Sequence, residues 1–455
     1  MPADVLPPSP ALFLQTLSPT VIMPLDEFAY YEQSTGKYLI RNDRHQWIYV
    51  NEGSIRRHLS DKPEFAKIPG QTGNPIDQEI SRIQIKCDVD YAGSLAGYDE
   101  GIVVQGGYRI LVKEAPKLIE PMEGDWPTIR TMLDNMFVEP EHEQLPYVFG
   151  WLKFAIMSLR DKTFMPGQAL VFAGKAESGK SLFQSLITDI LGGRSAKAYR
   201  YMSGATTFNS ELFGAEHLMI EDDVGSSDLR IRREFGARLK ETVANAVHSC
   251  HPKGKPAVSL QPFWRPTISV NDEPENLMVL PPIDESLKDK LMLFKIHKRP
   301  MPMATNTQEQ RAAFNRKLRS ELPAFIHFLI NFQIPTDLIS ERFGIKHFHH
   351  SEILEAIDET APETALKGII EVVLFGEPGS FTPWEGSSVR LQKELSDSHQ
   401  SCQFRSLCAS QNVLGRYLHR LAARSPGQFI PCRTDRERGW TIHAAGNLTD
   451  DSTFP

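Results

Sequence analysis

The chain has 455 residues, 41% apolar and 24% charged, with Lys plus Arg at 50 against Asp plus Glu at 57 and a net charge of −7. That length suggests about two to four domains, and the balance excludes a largely disordered chain and a protein that coats nucleic acid by bulk positive charge. Binding through a local basic patch remains open.

Cys87, Cys250, Cys402, Cys408 and Cys432 include no CxxC pair. Neither a disulfide framework nor a zinc ribbon is expected, and a reducing, cytoplasmic compartment is the simpler reading. The first residues lack a basic n-region, and no run approaches about 18 apolar residues, so neither signal peptide nor membrane span is expected.

Residues 1–25 are proline-rich and read as an arm. From Ala29 to Val112, β-rich runs (KYLIR, QWIYV, IQIKCDV, GIVVQGGYRILV) alternate with turn signals, and Gly106-Gly107 marks a hairpin. Asp88 and Asp90 form a DxD of the kind that holds metal ions in primases. With no second acidic or histidine motif nearby, a strand ending in acids is the better reading. Helical periodicity follows in WPTIRTMLDNMF and LPYVFGWLKFAIMSLRDK, until Pro166-Gly167 stops it.

The strongest signal is Gly174-Lys175-Ala176-Glu177-Ser178-Gly179-Lys180-Ser181, a GxxxxGKS between the apolar strand ALVFA and the helix SLFQSLITDIL. Its glycines let backbone N–H groups turn toward ATP phosphates, Lys180 reaches the β- and γ-phosphates, and the Ser181 hydroxyl completes a Mg²⁺ shell. Farther on, His217-Leu-Met-Ile-Glu221-Asp222-Asp223 is an apolar strand ending in acids, with Glu221 forty-one residues beyond Lys180. Glu221 is assigned to the metal and Asp222 to the base, although the pair can slip by one to Asp222 and Asp223. A third apolar run ends at Asn271, an amide able to bond both the γ-phosphate and the attacking water. Between the last two runs, His251-Pro-Lys253-Gly-Lys255 is a turn presenting a histidine and two lysines, either solvated or tracking phosphates.

On these residues the chain resembles the superfamily 3 helicases, compact AAA+ motors of phage, plasmid and poxvirus primase-helicase proteins. The matching segments are GKAESGKS (174–181), HLMIEDD (217–223), RLKETVANAVHSCHPKGKP (238–256) and FWRPTISVNDEP (263–274). The resemblance implies a homo-hexameric ring that hydrolyses ATP between subunits. It also implies a motif starting at Lys240 and ending in a hairpin whose tip residues, His251, Lys253 and Lys255, grip single-stranded DNA. The family's arginine finger has no match. Lys290 supplies a charge without the fork of Arg, and Arg232, Arg233 and Arg299 are the alternatives.

Farther on, QEQRAAFNRKLRSELPAFIHFLINF returns to helix, and KHFHH (346–350) reads as a solvated linker, since no partner cysteines or spaced carboxylates accompany it. Residues 361–445 read as three helices and a hairpin about the charged turn Asp435-Arg-Glu-Arg438, the order of a winged helix-turn-helix. Between Cys402 and His443 seven Arg face two acids, and Arg416, Arg420 and Arg424 lie at i, i+4, i+8 as an exposed stripe for DNA phosphates.

The expected fold is α/β. An AAA+ P-loop NTPase core (166–300) follows a β-rich α+β region (1–120) and a helical collar (121–165), and precedes a helical connector (301–360) and a winged helix (361–455). The expected function is an ATP-dependent helicase or translocase in DNA replication, acting on single-stranded or forked DNA, with a separate primase or polymerase as a possible partner. A nucleotide-switched DNA-binding regulator is the alternative, and a small-molecule P-loop kinase is disfavoured by the hairpin and the basic C-terminal segment.

Overall fold

The structure, a computed structural model, describes residues 21–23, 27–66, 73–163, 165–221, 228–376, 382–408, 410–433 and 438–445. It divides into two units, Met1–Ile353 and Leu354–Pro455. Among the described residues, no helix is long and apolar enough to cross a membrane.

In the first unit Ala29–Glu32, Lys37–Arg41 and Trp47–Val50 form an antiparallel meander, and Asp88–Val89 adds parallel to the first of them. Gly101–Gln105 and Tyr108–Val112 form the expected hairpin. Its Gly106 and Gly107 take φ of 57° and 85°, the two positive values a tight two-residue turn requires. Two expectations are corrected. IQIKCDV is mostly helix: Pro75–Lys86 is capped by Asn74 and buries Ile80 and Ile83, so helical spacing outweighs β-branched content. Within the expected arm, Val21–Met23 pairs with strand Gly101–Gln105, while residues 1–20 lie outside the described residues.

From Pro127 the elements run α1 (Pro127–Phe137), α2 (Leu145–Arg160), β1 (Ala169–Gly174), α3 (Lys180–Ile190), β2 (Ser195–Lys197), β3 (His217–Ile220), α4 (Leu229–Ala244), β4 (His248–Cys250), β5 (Val258–Leu260), β6 (Arg265–Val270), β7 (Leu291–Ile296) and α5 (Gln308–Asn331). Five of these strands make one parallel sheet in the order β2-β3-β6-β1-β7. All the residues of β1 and β6 are buried, the pattern of central parallel strands covered on both faces.

One core joins α1, α2 and α5 to the sheet and α3. Phe137, Phe172, Phe183 and Phe294 meet largely edge-on, with centroids 5.2 to 6.2 Å apart. No side chain of α1's own flank caps it. Instead Glu321 of α5, 3% exposed, accepts from Thr128 N and Ile129 N at 2.9 and 3.0 Å. A carboxylate there satisfies two orphan donors and complements the helix dipole.

KHFHH is not a solvated linker. Leu293 N donates to Phe348 O and His350 N to Leu293 O, so the segment covers the free edge of β7. Phe348 stacks on Phe294, and His350 is fully buried. An aromatic in alternation with histidines was the local signal for a packed strand-like segment.

In the second unit α6 (Ser351–Glu359, beginning in the first unit), α7 (Pro362–Phe375), β8 (Trp384–Ser387), α8 (Ser388–Asp397), α9 (Ser401–Leu407), α10 (Gln411–Arg424), β9 (Phe429–Arg433) and β10 (Arg438–Ile442) follow in order. The strands form an antiparallel sheet, β8-β10-β9, over a core that includes Leu391, Leu395, Phe404, Leu414, Leu418 and Trp440. Of the expected charged turn, residues 434–437 lie outside the described residues.

Candidate functional site

Parallel strands deliver their carboxyl ends to one edge of a sheet, where connecting loops leave room for a ligand. Here β1 leads into the 174–181 loop, β3 into Glu221 and β6 into Asn271. Because β6 lies between β1 and β3, Asn271 stands between the loop and the acid.

The loop is shaped for close approach. Gly174 packs against the Ile296 backbone of β7, where any Cβ would collide, and Gly179 takes a left-handed φ of 94° that favours glycine. Glu177 also takes a left-handed φ, 64°, and pairs with Lys298 at 3.0 Å. Lys175 and Ala176 are exposed on the loop's outer side, and Ser181 is exposed in the first turn of α3. The Ser178 hydroxyl is buried with no hydrogen-bond partner.

Lys180 folds back into the loop. Its ammonium donates to Gly174 O at 2.5 Å, Lys175 O at 2.9 Å and Asn271 Oδ1 at 3.2 Å. The loop lysine and the strand-end amide, 91 residues apart, are thus brought into direct contact. A cation, a helix N-terminus and an unpartnered hydroxyl around a backbone concavity can hold a phosphate. Glu221 pairs with Lys197 of β2 at 2.7 Å. Asp222, the expected base, and Asp223 lie outside the described residues.

Sequence reading missed three neighbours. Glu273 has its carboxyl held below the usual range by its own backbone N–H and by Asn276, with Lys180 and Lys175 adding attraction. Lys298 and Met301 follow β7, whose end at the same sheet edge was the available signal. Behind the site His217 is fully buried, its two ring nitrogens within 2.7 Å of Thr188 Oγ1 and Thr267 Oγ1, and burial lowers its pKa to about 3. It is a neutral strut between α3, β3 and β6.

Lys290 does not project. Only 5% exposed, it donates to Ser286 O and Asp289 Oδ1, both at 2.7 Å. Arg232 is buried and bonded to Leu280 O at 3.1 Å, Arg233 is exposed on α4, and Arg299 is exposed just beyond β7.

The 248–260 segment is a hairpin, β4 pairing with β5 from His248–Leu260 to Cys250–Val258. Gly254 turns at φ 73° with open space around it, and Lys253 is exposed. Its other lysine is engaged: Lys255 pairs at 2.9 Å with Glu32, a wholly buried carboxylate of the N-terminal meander. His251 is fixed through its backbone N–H to Asn209 Oδ1 at 2.7 Å and lies 5.3 Å from the ring of Phe208, which is itself exposed. Lys240 is exposed on α4. Phe208 and Asn209 carry no motif that sequence reading singles out.

In the second unit the arginine stripe needs correction. Arg416 is exposed, but Arg424 pairs with Asp358 at 2.8 Å and with Glu363 at 3.6 Å, and Arg420 reaches Glu363 at 3.7 Å. Glu363 is 1% exposed, so two of the three arginines neutralise a buried acid between α7 and α10.

These features define an α/β protein with its candidate site at the carboxyl edge of a five-stranded parallel sheet. No protein-family profile and no curated protein matches the chain. Among solved structures, the apo C-terminal region of NrS-1 is similar over 91% of this chain and 95% of that one, with TM-score 0.52 and 14% identity. The A form of the same apo region covers 91% and 96% with the same TM-score, 0.52, and the same 14% identity. At this identity the likeness is one of fold. The SCCmec type IV Cch active helicase aligns over 89% of this chain and 71% of its own, at TM-score 0.31 and 12% identity.

Proposed function

We propose that the chain is an ATP-dependent helicase or translocase acting on DNA, with an AAA+ core of the superfamily 3 type. One observation carries the reading: the Lys180 loop, Asn271 and Glu221 converge on one sheet edge, the amide bonded to the lysine at 3.2 Å. Counted in chain order, the five sheet strands run 5-1-4-3-2, with the amide strand inserted between loop strand and acid strand. An acid on the acidic strand's end can organise the attacking water, a task that phosphate binding alone does not require.

In this reading the backbone of 174–179 and Lys180 bind the phosphates of ATP, and exchange of Lys180's present oxygen partners for phosphate oxygens accompanies binding. Ser181 and Glu221 would hold Mg²⁺, which supplies charge neutralisation at the phosphates. Asp222 takes the proton of the attacking water, and Asn271 links the loop to the hairpin through β6. Lys253 and His251 contact the DNA backbone, Phe208 offers a face for base stacking, and Lys240 and Lys255 contribute positive charge near them. The second unit, with two helices, a strand, three helices and a hairpin in order, is a winged helix that contacts DNA through Arg416. Subunits assemble as a hexameric ring with ATP between them.

The buried position of Lys290 favours a second reading, a nucleotide-switched DNA-binding regulator that hydrolyses slowly for want of a finger. Strand displacement on a forked substrate separates the two. Unwinding with ATP, abolished in Lys180→Ala, establishes the motor, whereas ATP binding with no displacement on any fork rejects it. Particle images with ATP and forked DNA test the ring directly.

A further inference from the structure

The free edge of β7 brings together residues that neither the site nor the hairpin uses. Gln144 completes that edge from one side, donating to Lys295 O at 3.1 Å and accepting from Lys295 N at 3.0 Å. The 348–350 segment completes it farther along, through Leu293. Two loops far apart in sequence are thereby fixed on one strand. Both carry metal-ligating side chains toward each other.

The geometry points to a binding site for a divalent first-row transition metal, with Zn²⁺ the best fit, formed by Glu139, His142 and His350. One donor atom from each of the three lies within 4.8 Å of the others. Glu139 Oε1 is 2.8 Å from His350 Nε2, and the His142 and His350 rings stand edge to face with centroids 4.4 Å apart. Two imidazoles and one carboxylate are a donor set that suits zinc and its neighbours rather than Mg²⁺ or Ca²⁺, which prefer all-oxygen sites.

The bland reading is a hydrogen-bonded His–Glu cluster that ties the edge together. His350 is fully buried, and its Nδ1 has no hydrogen-bond partner. A buried imidazole nitrogen without a partner carries a desolvation cost that a hydrogen-bonded pair alone does not repay.

The surroundings are built as metal sites are. The other carboxylate oxygen, Glu139 Oε2, is 3.1 Å from His297 Nε2, and Ser351 Oγ is 3.2 Å from His142 Nε2. Such outer partners fix the orientation of a ligating carboxylate and imidazole. With three protein donors, a fourth position falls to water. Glu139 and His142 lie three residues apart in one loop, while His350 arrives from 211 residues beyond Glu139, so bound metal would cross-link α1's exit to the segment after α5.

The inference is independent of the motor assignment, and its test does not use ATP. The full chain, stripped with a chelator, is titrated with Zn²⁺ against a chromophoric competitor, and then with Co²⁺ to read d–d absorption. One equivalent of Zn²⁺ per chain is expected, with Co²⁺ giving the intense visible bands of a four-coordinate site. His142→Ala leaves the buried Glu139–His350 pair in place and should fold normally by circular dichroism while losing at least tenfold in Zn²⁺ affinity. Glu139→Gln should lose as much, and His347→Ala, a neighbouring histidine outside the three, should lose nothing. No Zn²⁺ uptake by the wild-type chain, or equal affinity in His142→Ala and wild type, overturns the proposal.

Discussion

At the scale of single residues, Lys180 and Asn271 share one contact and should fail differently. On the proposed function, Lys180→Ala removes the cation that would bind phosphate, so ATP affinity and hydrolysis should both fall, hydrolysis by at least about 100-fold. Asn271→Ala leaves that cation in place, and filter binding should show near-normal ATP affinity with hydrolysis down by roughly tenfold or more. Wild-type turnover in Asn271→Ala would remove the amide from the reaction. A pH effect also belongs here. His217 and His248 ionise at an ordinary 6.5 when unfolded, but burial lowers them to about 3 and about 4 in the fold. The unfolded chain therefore takes up protons first. Their contribution to stability is complete above pH 6.5 and is lost as pH falls from there toward 4 and 3. Each contributes a slope of up to about 1.4 kcal/mol per pH unit in that window. Urea unfolding between pH 7 and 5 reads the slope, and His217→Gln should flatten it.

At the scale of elements, the hairpin's two lysines divide the work. Lys253→Ala should weaken single-stranded DNA binding and reduce its salt dependence by about one ion, with little change in melting temperature. Lys255→Ala instead strands the buried Glu32 carboxylate, and chemical denaturation should show a loss of about 3 kcal/mol. Equal effects of the two on both measurements would contradict this division. In α10 the same logic applies. Arg416→Ala should weaken duplex binding by the second unit without cost to its fold. Arg424→Ala should destabilise that unit by roughly 1–3 kcal/mol, because Glu363 is left buried with a weakened partner.

At the scale of the molecule, what the sequence made legible was whatever is encoded within one element. The GxxxxGKS loop, the acid after HLMI and the amide after RPTISV each sit on a strand end, and strand ends in a parallel sheet share an edge. The hairpin at 248–260 and the long helix at 308–331 were legible for the same reason. What escaped depends on pairs brought together by tertiary folding. A spacing of i, i+4, i+8 placed Arg416, Arg420 and Arg424 on one helix face but said nothing about Asp358 and Glu363 opposite it. KHFHH looked solvated because its carboxylate partner, Glu139, comes from 211 residues away. Pro75–Lys86 was misread because two isoleucines fit either period over a short window.

The N-terminal region holds the hairpin at both ends. Gln105 grips its root, exchanging hydrogen bonds with Gln261 at 2.7 and 3.1 Å, and Glu32 grips its tip. Arg194 and the fully buried Glu216, paired in the sheet unit, also bond Leu95 O and Gly97 N of the N-terminal region. A chain shortened to begin near residue 121 would therefore not release an autonomous sheet unit. It would unclamp the hairpin, bare Glu216 and leave Lys255 without its counter-ion. The front quarter of the chain is better regarded as the mount that holds the hairpin than as a detachable passenger.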